Sequence, residues 1–406
     1  MDPRGRLAGA GRTDTSYVVL RRPPKRTARR GGAKGTDDRD APVAPRVDVD
    51  EMSPARAAAL ARESDVAAVA PPFLMTLVRP VPGAAGAAAP LSAPGPAWGV
   101  RAVGADTSPF TGAGVVVAVL DTGIVDHPAF AGVDLQRRDF TGGTDTKDLD
   151  GHGTHCAGIL FGRDVDGVRI GVAPGVRRAL VGKVLGVTGC QTWTVLKGIQ
   201  WAVEQGAQVI SMSLGIDFPG QVRLLVEDGL PGDVATSLAL EGYRQNVVLF
   251  ERLARLYLAE NPTAPGPLLA AAAGNESRRE EDPRFSIGVS PPAVAEGIVS
   301  VGALQESSAG LTVAPFSNVG PVLAAPGVGI VSAARGGGLC TMNGTSMATP
   351  FAAGVAALWA ERMKETGSRS PMLLSSRLVG NATMEGIAPG VNPDLVGAGL
   401  VYAPQK

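Results

Sequence analysis

The sequence predicts an α/β domain over residues 98–406, with a mainly parallel sheet flanked by helices, behind a small α+β module over residues 15–80. Three observations carry this. From residue 115 onward, short apolar runs alternate with amphipathic helical patterns, as parallel strands joined by crossover helices require. The run "VVVAVL" (115–120) is apolar throughout, which suits a strand buried on both faces. The stretch "VPGAAGAAAPLSAPGPA" (81–97) reads as a Pro/Ala/Gly linker between the two parts.

Taken in order, residues 1–14 are expected to be a disordered tail. "SYVVL" (16–20) is the first strand. The charged, Pro/Gly-rich insertion 21–46 reads as loop or disorder, and the absence of interleaved aromatics argues against a nucleic-acid patch. "VDVD" (47–50) is a second strand. Ser53 and Pro54 offer an N-cap and a first helical position for "SPARAAALARES" (53–64). "DVAAVAPPFLMTLV" (65–78) is extended. In the larger domain, "TVLKGIQWAVEQG" (194–206) sets Val195, Ile199, Ala202 and Val203 at helical spacing. "QVISMSL" (208–214), "PLLAAAAGN" (267–275) and "GIVSVGAL" (297–304) are further strands. An insertion, 216–267, interrupts them and should contain a helix over 235–260.

The chain has 406 residues, 45% hydrophobic and 19% charged, with zero formal net charge. That is ample apolar material for a sizeable core. The neutral balance gives no electrostatic reason to expect nucleic acid or an anionic membrane as a partner. Three cysteines, Cys156, Cys190 and Cys340, are too few for a disulfide scaffold and are expected to be free thiols. The first twenty residues lack the apolar centre of a secretory signal, and no apolar run reaches the ~20 residues of a membrane span. The expectation is a cytoplasmic protein, with unconventional export as the alternative.

The chemistry is concentrated in four places. Asp121 ends the first buried strand, where α/β folds put their ligands. "GHGTHCAG" (151–158) carries His152 between two glycines and His155 three residues on. Spacing alone leaves open a metal pair or one catalytic base with a bystander. In "AAAGNE" (271–276), Asn275 lies just past a strand, so its amide can donate into the same crevice. In "NGTSMATPFAAGVAALWAERM" (343–363), Ser346 opens a helix and Pro350 is placed in its first turn. Backbone N–H groups and the positive end of the helix dipole there would favour an oxyanion.

The order Asp121, His152, Asn275, Ser346, inside "VVVAVLDTGI", "HGTHCAG", "VISMSLG", "AAAGN" and "NGTSMATP", resembles the subtilisin-like serine peptidases, from about Trp98 to Val401. The resemblance implies a three-layer catalytic domain and a serine endopeptidase that forms an acyl-enzyme. Ser346 would be the nucleophile, His152 its base, Asp121 the residue orienting His152, and Asn275 an oxyanion donor. It also implies substrate-binding walls at Ser211, Ser213, Leu214 and Gly215, at Gly189 within Gly186–Cys190, and at Ala273 and Gly274. His155 is then a buried supporting residue and His127 a loop or packing residue. Cys156 would be a buried thiol beneath the base, as in a branch resembling proteinase K.

Many members hold calcium near the positions of Ala129 and the loop 161–171. Val165 falls where an oxygen ligand is needed, so that site is expected to be absent and no cofactor is expected. The module 15–80 resembles the family's inhibitory propeptide in reduced form. It would act as intramolecular inhibitor and folding chaperone, with cleavage between Gly86 and Pro94. The alternatives are a permanent appendage, a processing peptidase narrowed by the 216–267 insertion, and a non-catalytic peptide-binding module.

Overall fold

The computed structural model describes residues 15–23, 45–82, 94–258 and 266–406. The expected disorder of 1–14 lies outside them, as do most of the charged insertion and most of the linker.

In the N-terminal module, β1 (Thr15–Arg21) lies between β2 (Arg46–Met52) and β3 (Val66–Ala70), all antiparallel. Alternation along β1 divides its burial. Val19 packs with Met52, Ala57 and Leu60 against α1 (Pro54–Leu60), while Val18 and Leu20 face the larger domain. Ser53 caps α1 through its side chain, as its sequence position predicts. The chain then runs out as β4 (Leu74–Leu77), away from its own module.

The larger domain opens with β5 (Gly95–Pro96), inside the expected linker, and α2 (Trp98–Ala102). It continues through β6 (Val116–Asp121), β7 (Asp134–Asp139), α3 (His152–Phe161), β8 (Val168–Arg169), β9 (Arg178–Lys183), β10 (Cys190–Gln191), α4 (Thr192–Glu204), β11 (Val209–Met212) and β12 (Leu214–Ile216). The insertion forms α5 (Phe218–Glu227) and α6 (Gly232–Leu258). β13 (Leu268–Ala272), β14 (Ile298–Ser307), β15 (Gly310–Val313), β16 (Leu323–Pro326), β17 (Ile330–Ala333), β18 (Leu339–Met342), α7 (Thr345–Glu365) and α8 (Pro371–Gly380) complete it.

The central sheet runs β7-β9-β6-β11-β13-β14, with β16 and β15 on β14, and only the β14–β15 pair is antiparallel. Both faces are covered. Val117 and Val119 of β6 pack in one core with α3 and α7, while Ala118 and Leu120 pack in the other with α4 and α6. These are the three layers, helices on either side of a mainly parallel sheet. From β6 the chain crosses first to β7 and β9, then to β11 on the other side. This reversal opens a crevice at the carboxyl ends of β6 and β11.

Candidate active site

Asp121, His152 and Ser346 meet at that crevice, and all three are fully buried. Asp121 is the last residue of β6, His152 the first of α3, and Ser346 the second of α7. His152 Nδ1 donates to Asp121 Oδ1 at 2.8 Å. In the neutral ring that bond keeps the proton on Nδ1 and makes Nε2 the acceptor, and Nε2 has no hydrogen-bond partner among the described residues. Burial works against a charged imidazole, but the facing Asp121 carboxylate outweighs it and holds His152 well above the ordinary histidine range.

A loop braces the start of α3. Asp148, fully buried, accepts from the backbone N–H of Asp150 and Gly151, from Thr154 N–H and Oγ1, and from Thr122 Oγ1. Thr122 Oγ1 in turn accepts from Gly153 N–H at 2.9 Å. A Cβ on Gly153 would collide with the Gly123 carbonyl, so this glycine lets the strand end and the helix start touch. Sequence reasoning passed over Asp148. Its signal was an acid three residues before Gly151, an N-cap residue with no side chain to cap the helix.

His155 has no part in the charge chemistry. Its Nε2 donates to the Ile330 carbonyl at 3.0 Å, with the Cys340 carbonyl at 3.3 Å. Burial, with His152 nearby, pushes it down to about 3, so it stays neutral. Buried and held by those carbonyls through Nε2, it sits as the supporting residue expected. His127 also packs: Nε2 donates to Gly338 O and Nδ1 accepts from Ala129 N–H. Asp121, His152 and Cys156 do offer three ligand atoms within 4.8 Å of one another, the one such group among the described residues.

Cys156 lies under the imidazole, its Sγ 3.8 Å from His152 Nδ1 and 3.4 Å from the Ser346 carbonyl. Burial pushes this thiol up despite His152 beside it, so it stays protonated. The Ser346 carbonyl also accepts from Ser213 Oγ at 3.0 Å. Pro350 explains why that carbonyl is free. It sits inside α7, in the second turn rather than the first, and its missing N–H is the one that would bond Ser346 O. All three cysteines are free: Cys190 is on the cleft wall in β10 and Cys340 is on the β17–β18 hairpin.

Asn275 follows β13. Its Oδ1 accepts from Thr345 N–H (2.9 Å) and Thr345 Oγ1 (2.8 Å), which turns its amide hydrogens into the cleft. Thr345 is a further residue that the sequence reading did not single out. Ala273 and Gly274 lie behind Asn275, braced by Asn318, whose Nδ2 donates to Ala273 O while its own N–H donates to Gly274 O.

The cleft is filled by the chain itself. β4 lies antiparallel between two walls: Leu77, Thr76 and Met75 face Leu214, Gly215 and Ile216, while Met75 and Leu74 face Cys190 and Gln191. Gly189, at φ +93°, allows the close approach; a Cβ there would be 2.5 Å from Met75 O. Val78 N–H donates to Ser213 O at 3.3 Å. Ser211 takes no part in this pairing; it lies in β11, between β6 and β13. Ser346 Oγ donates to the Val78 carbonyl at 2.5 Å, and Asn275 Nδ2 donates to the Arg79 carbonyl at 2.8 Å. Beyond, Val81 N–H donates to Asn343 O.

A hydroxyl, an imidazole and a carboxylate, aligned at a cleft that pairs with extended main chain, suit acyl transfer from a peptide. Residues 112–399 match the family model of the subtilase family, Peptidase_S8. The chain belongs to the subtilase family. It is 33% identical over 316 residues to subtilisin Savinase of Lederbergia lenta, covering 75% of this chain and 96% of that protein. It is 33% identical to the M-protease of Shouchella clausii strain KSM-K16 over 75% of this chain and 68% of that one. The intracellular serine protease of Paenibacillus polymyxa is 32% identical over 72% of this chain and 79% of its own length. This subtilase is thus a subtilisin-like serine endopeptidase, acting on peptide substrates. No helix among its described residues is long and apolar enough to cross a membrane.

Proposed function

We propose that this subtilase is made as a self-inhibited precursor, and that Ser346 frees itself by cutting the Val78–Arg79 bond. The observation that carries this is the 2.5 Å bond from Ser346 Oγ to the Val78 carbonyl, on a strand already paired like a substrate with both cleft walls. In that state the hydroxyl hydrogen goes to Val78 O and not to His152 Nε2. The nucleophile is disconnected from its base, and the tail blocks the cleft it occupies.

In the reactive state Ser346 Oγ attacks a carbonyl carbon while His152 Nε2 takes its proton. Asp121, bonded to Nδ1, holds the tautomer and stabilises the imidazolium. Asn275 Nδ2 moves from the Arg79 carbonyl to the oxygen of the attacked carbonyl and holds the developing oxyanion. His152 then returns the proton to the leaving amine. Ser213, Leu214, Gly215 and Gly189 hold the acyl side of the substrate by main-chain pairing, with Ala273 and Gly274 behind the oxyanion donor.

The family calcium site does not fit these residues. Ala129 is buried, and Val165 is 6% exposed with its side chain in the main core, so neither supplies a side-chain oxygen.

Mass spectrometry of the wild type beside Ser346→Ala tests the processing. An N-terminus at Arg79 only in the wild type is expected. The linker site expected from sequence falls almost entirely on residues outside those described. An N-terminus between 87 and 95 would move the cut there and overturn the Val78 register. An uncut wild-type chain would make the module a permanent appendage.

A further inference from the structure

The insertion does more than lengthen a loop. Counted back from the carbonyl that Ser346 touches, Val78 is the first acyl-side residue, Met75 the fourth, Leu74 the fifth and Phe73 the sixth. Beyond Met75 the insertion and α4 take over the tail. Asp217 N–H donates to Leu74 O, and Gln221 Oε1, from α5, accepts Leu74 N–H, both at 3.1 Å. Thr192 grips both main-chain groups of Phe73: its Oγ1 accepts the N–H at 3.0 Å and its N–H donates to the carbonyl at 3.1 Å.

The Phe73 ring is only 1% exposed. It meets Tyr243 of α6 edge-on, with centroids 6.5 Å apart, and Tyr243 meets Phe218 of α5 edge-on at 5.8 Å. Gly242 leaves the room. A Cβ there would be 3.3 Å from Cδ2 and Cε2 of the ring. Thr192 and Gln221 are themselves buried. Every residue of this seat is outside the N-terminal module, so the seat stays when the tail leaves.

We propose that α4, α5 and α6 form a sixth acyl-side subsite that selects an aromatic or large apolar side chain in protein substrates. The main-chain bonds from Thr192, Asp217 and Gln221 hold any sequence in register, and the aromatic seat does the choosing. The protease therefore reads six residues before the bond it cuts, which narrows its substrates. This rests on the register proposed above, with Val78 as the first acyl-side residue.

The test uses fluorogenic amides of the tail sequence on the matured wild type, with active sites titrated by a fluorophosphonate: Phe-Leu-Met-Thr-Leu-Val, the same with Ala first, and Met-Thr-Leu-Val. Burying a phenyl ring predicts that the Phe hexapeptide exceeds the Ala hexapeptide in kcat/KM by about tenfold or more. In Gly242→Leu this ratio should fall toward one. Equal rates for the two hexapeptides in the wild type, with the tetrapeptide still cut, would overturn the subsite and leave the peptidase reading intact. If no peptide is cut and Ser346 takes no label, the peptidase reading fails, and hydrogen exchange decides the seat. In full-length Ser346→Ala, adding Phe73→Ala should speed exchange at residues 74–78 about tenfold or more. Unchanged exchange overturns the seat.

Discussion

Asn275 is tethered through its oxygen by Thr345, which leaves its amide hydrogens aimed into the cleft at fixed positions. Such a donor gains strength only as negative charge develops on the carbonyl oxygen. Asn275→Ala should therefore lower kcat by about 10²–10³ with little change in KM, the magnitude known from subtilisin itself. A loss seen in KM alone would show that Asn275 only binds substrate. His155 gives a separate residue-scale prediction, on stability. Its native form refuses a proton down to about pH 3, while the unfolded chain takes one at the ordinary 6.5. Between those values the unfolded state binds more protons, so stability is fully present above pH 6.5 and declines as pH falls through the window. The slope from this group approaches about 1.4 kcal/mol per pH unit. In a Ser346→Ala background, which prevents self-digestion, His155→Gln keeps an N–H donor for Ile330 O without the titration. Urea unfolding from pH 7 to 4 should show a shallower decline than the parent, and equal slopes would count against the assignment.

At the scale of elements, the loop after α3 predicts metal independence there. Val165 and Val168 bridge each other and bury their side chains, which ties that turn by apolar packing where oxygens would be needed for calcium. EDTA should leave the melting temperature of Ser346→Ala unchanged; a fall reversed by calcium and abolished by a carboxylate-removing change in 161–171 would contradict this. The elements also show how much was legible in the sequence. β6, α4, β13 and β14 were readable because each is a continuous apolar run or a clear helical stripe. α5 was missed, although Asp217 at its N-cap and Pro219 in its first turn announce a helix start. β4 was legible as extended chain, but its strand-by-strand pairing was not. Its partners stand at Cys190–Gln191 and Leu214–Ile216, far off in sequence, and no local pattern in "LMTL" names them. The triad was legible through its motifs, while Thr345 was not, since its hold on the Asn275 oxygen joins residues distant in sequence that only the fold brings together.

At the scale of the whole molecule, the N-terminal module is both a domain with its own small core and part of the larger one. Val18, Leu20, Val47, Ala68, Phe73 and Met75 share a single apolar cluster with α4, α6 and the sheet. While the chain is intact, the module is held at the high effective concentration that a short tether confers. Cutting Val78–Arg79 breaks no packing, but it turns a tethered part into a separate ligand whose occupancy depends on concentration. Freshly cut protein should therefore be poorly active when concentrated and should gain activity per molecule over about a thousandfold dilution, with a lag set by departure of the module. A peptide-hydrolysis progress curve at each dilution measures this, and Phe73→Ala should shorten the lag by weakening the grip at the far end of the tail. Activity per molecule that is constant on dilution, without a lag, would mean that the shared core does not hold the cut module in place, and that inhibition ends with the bond itself.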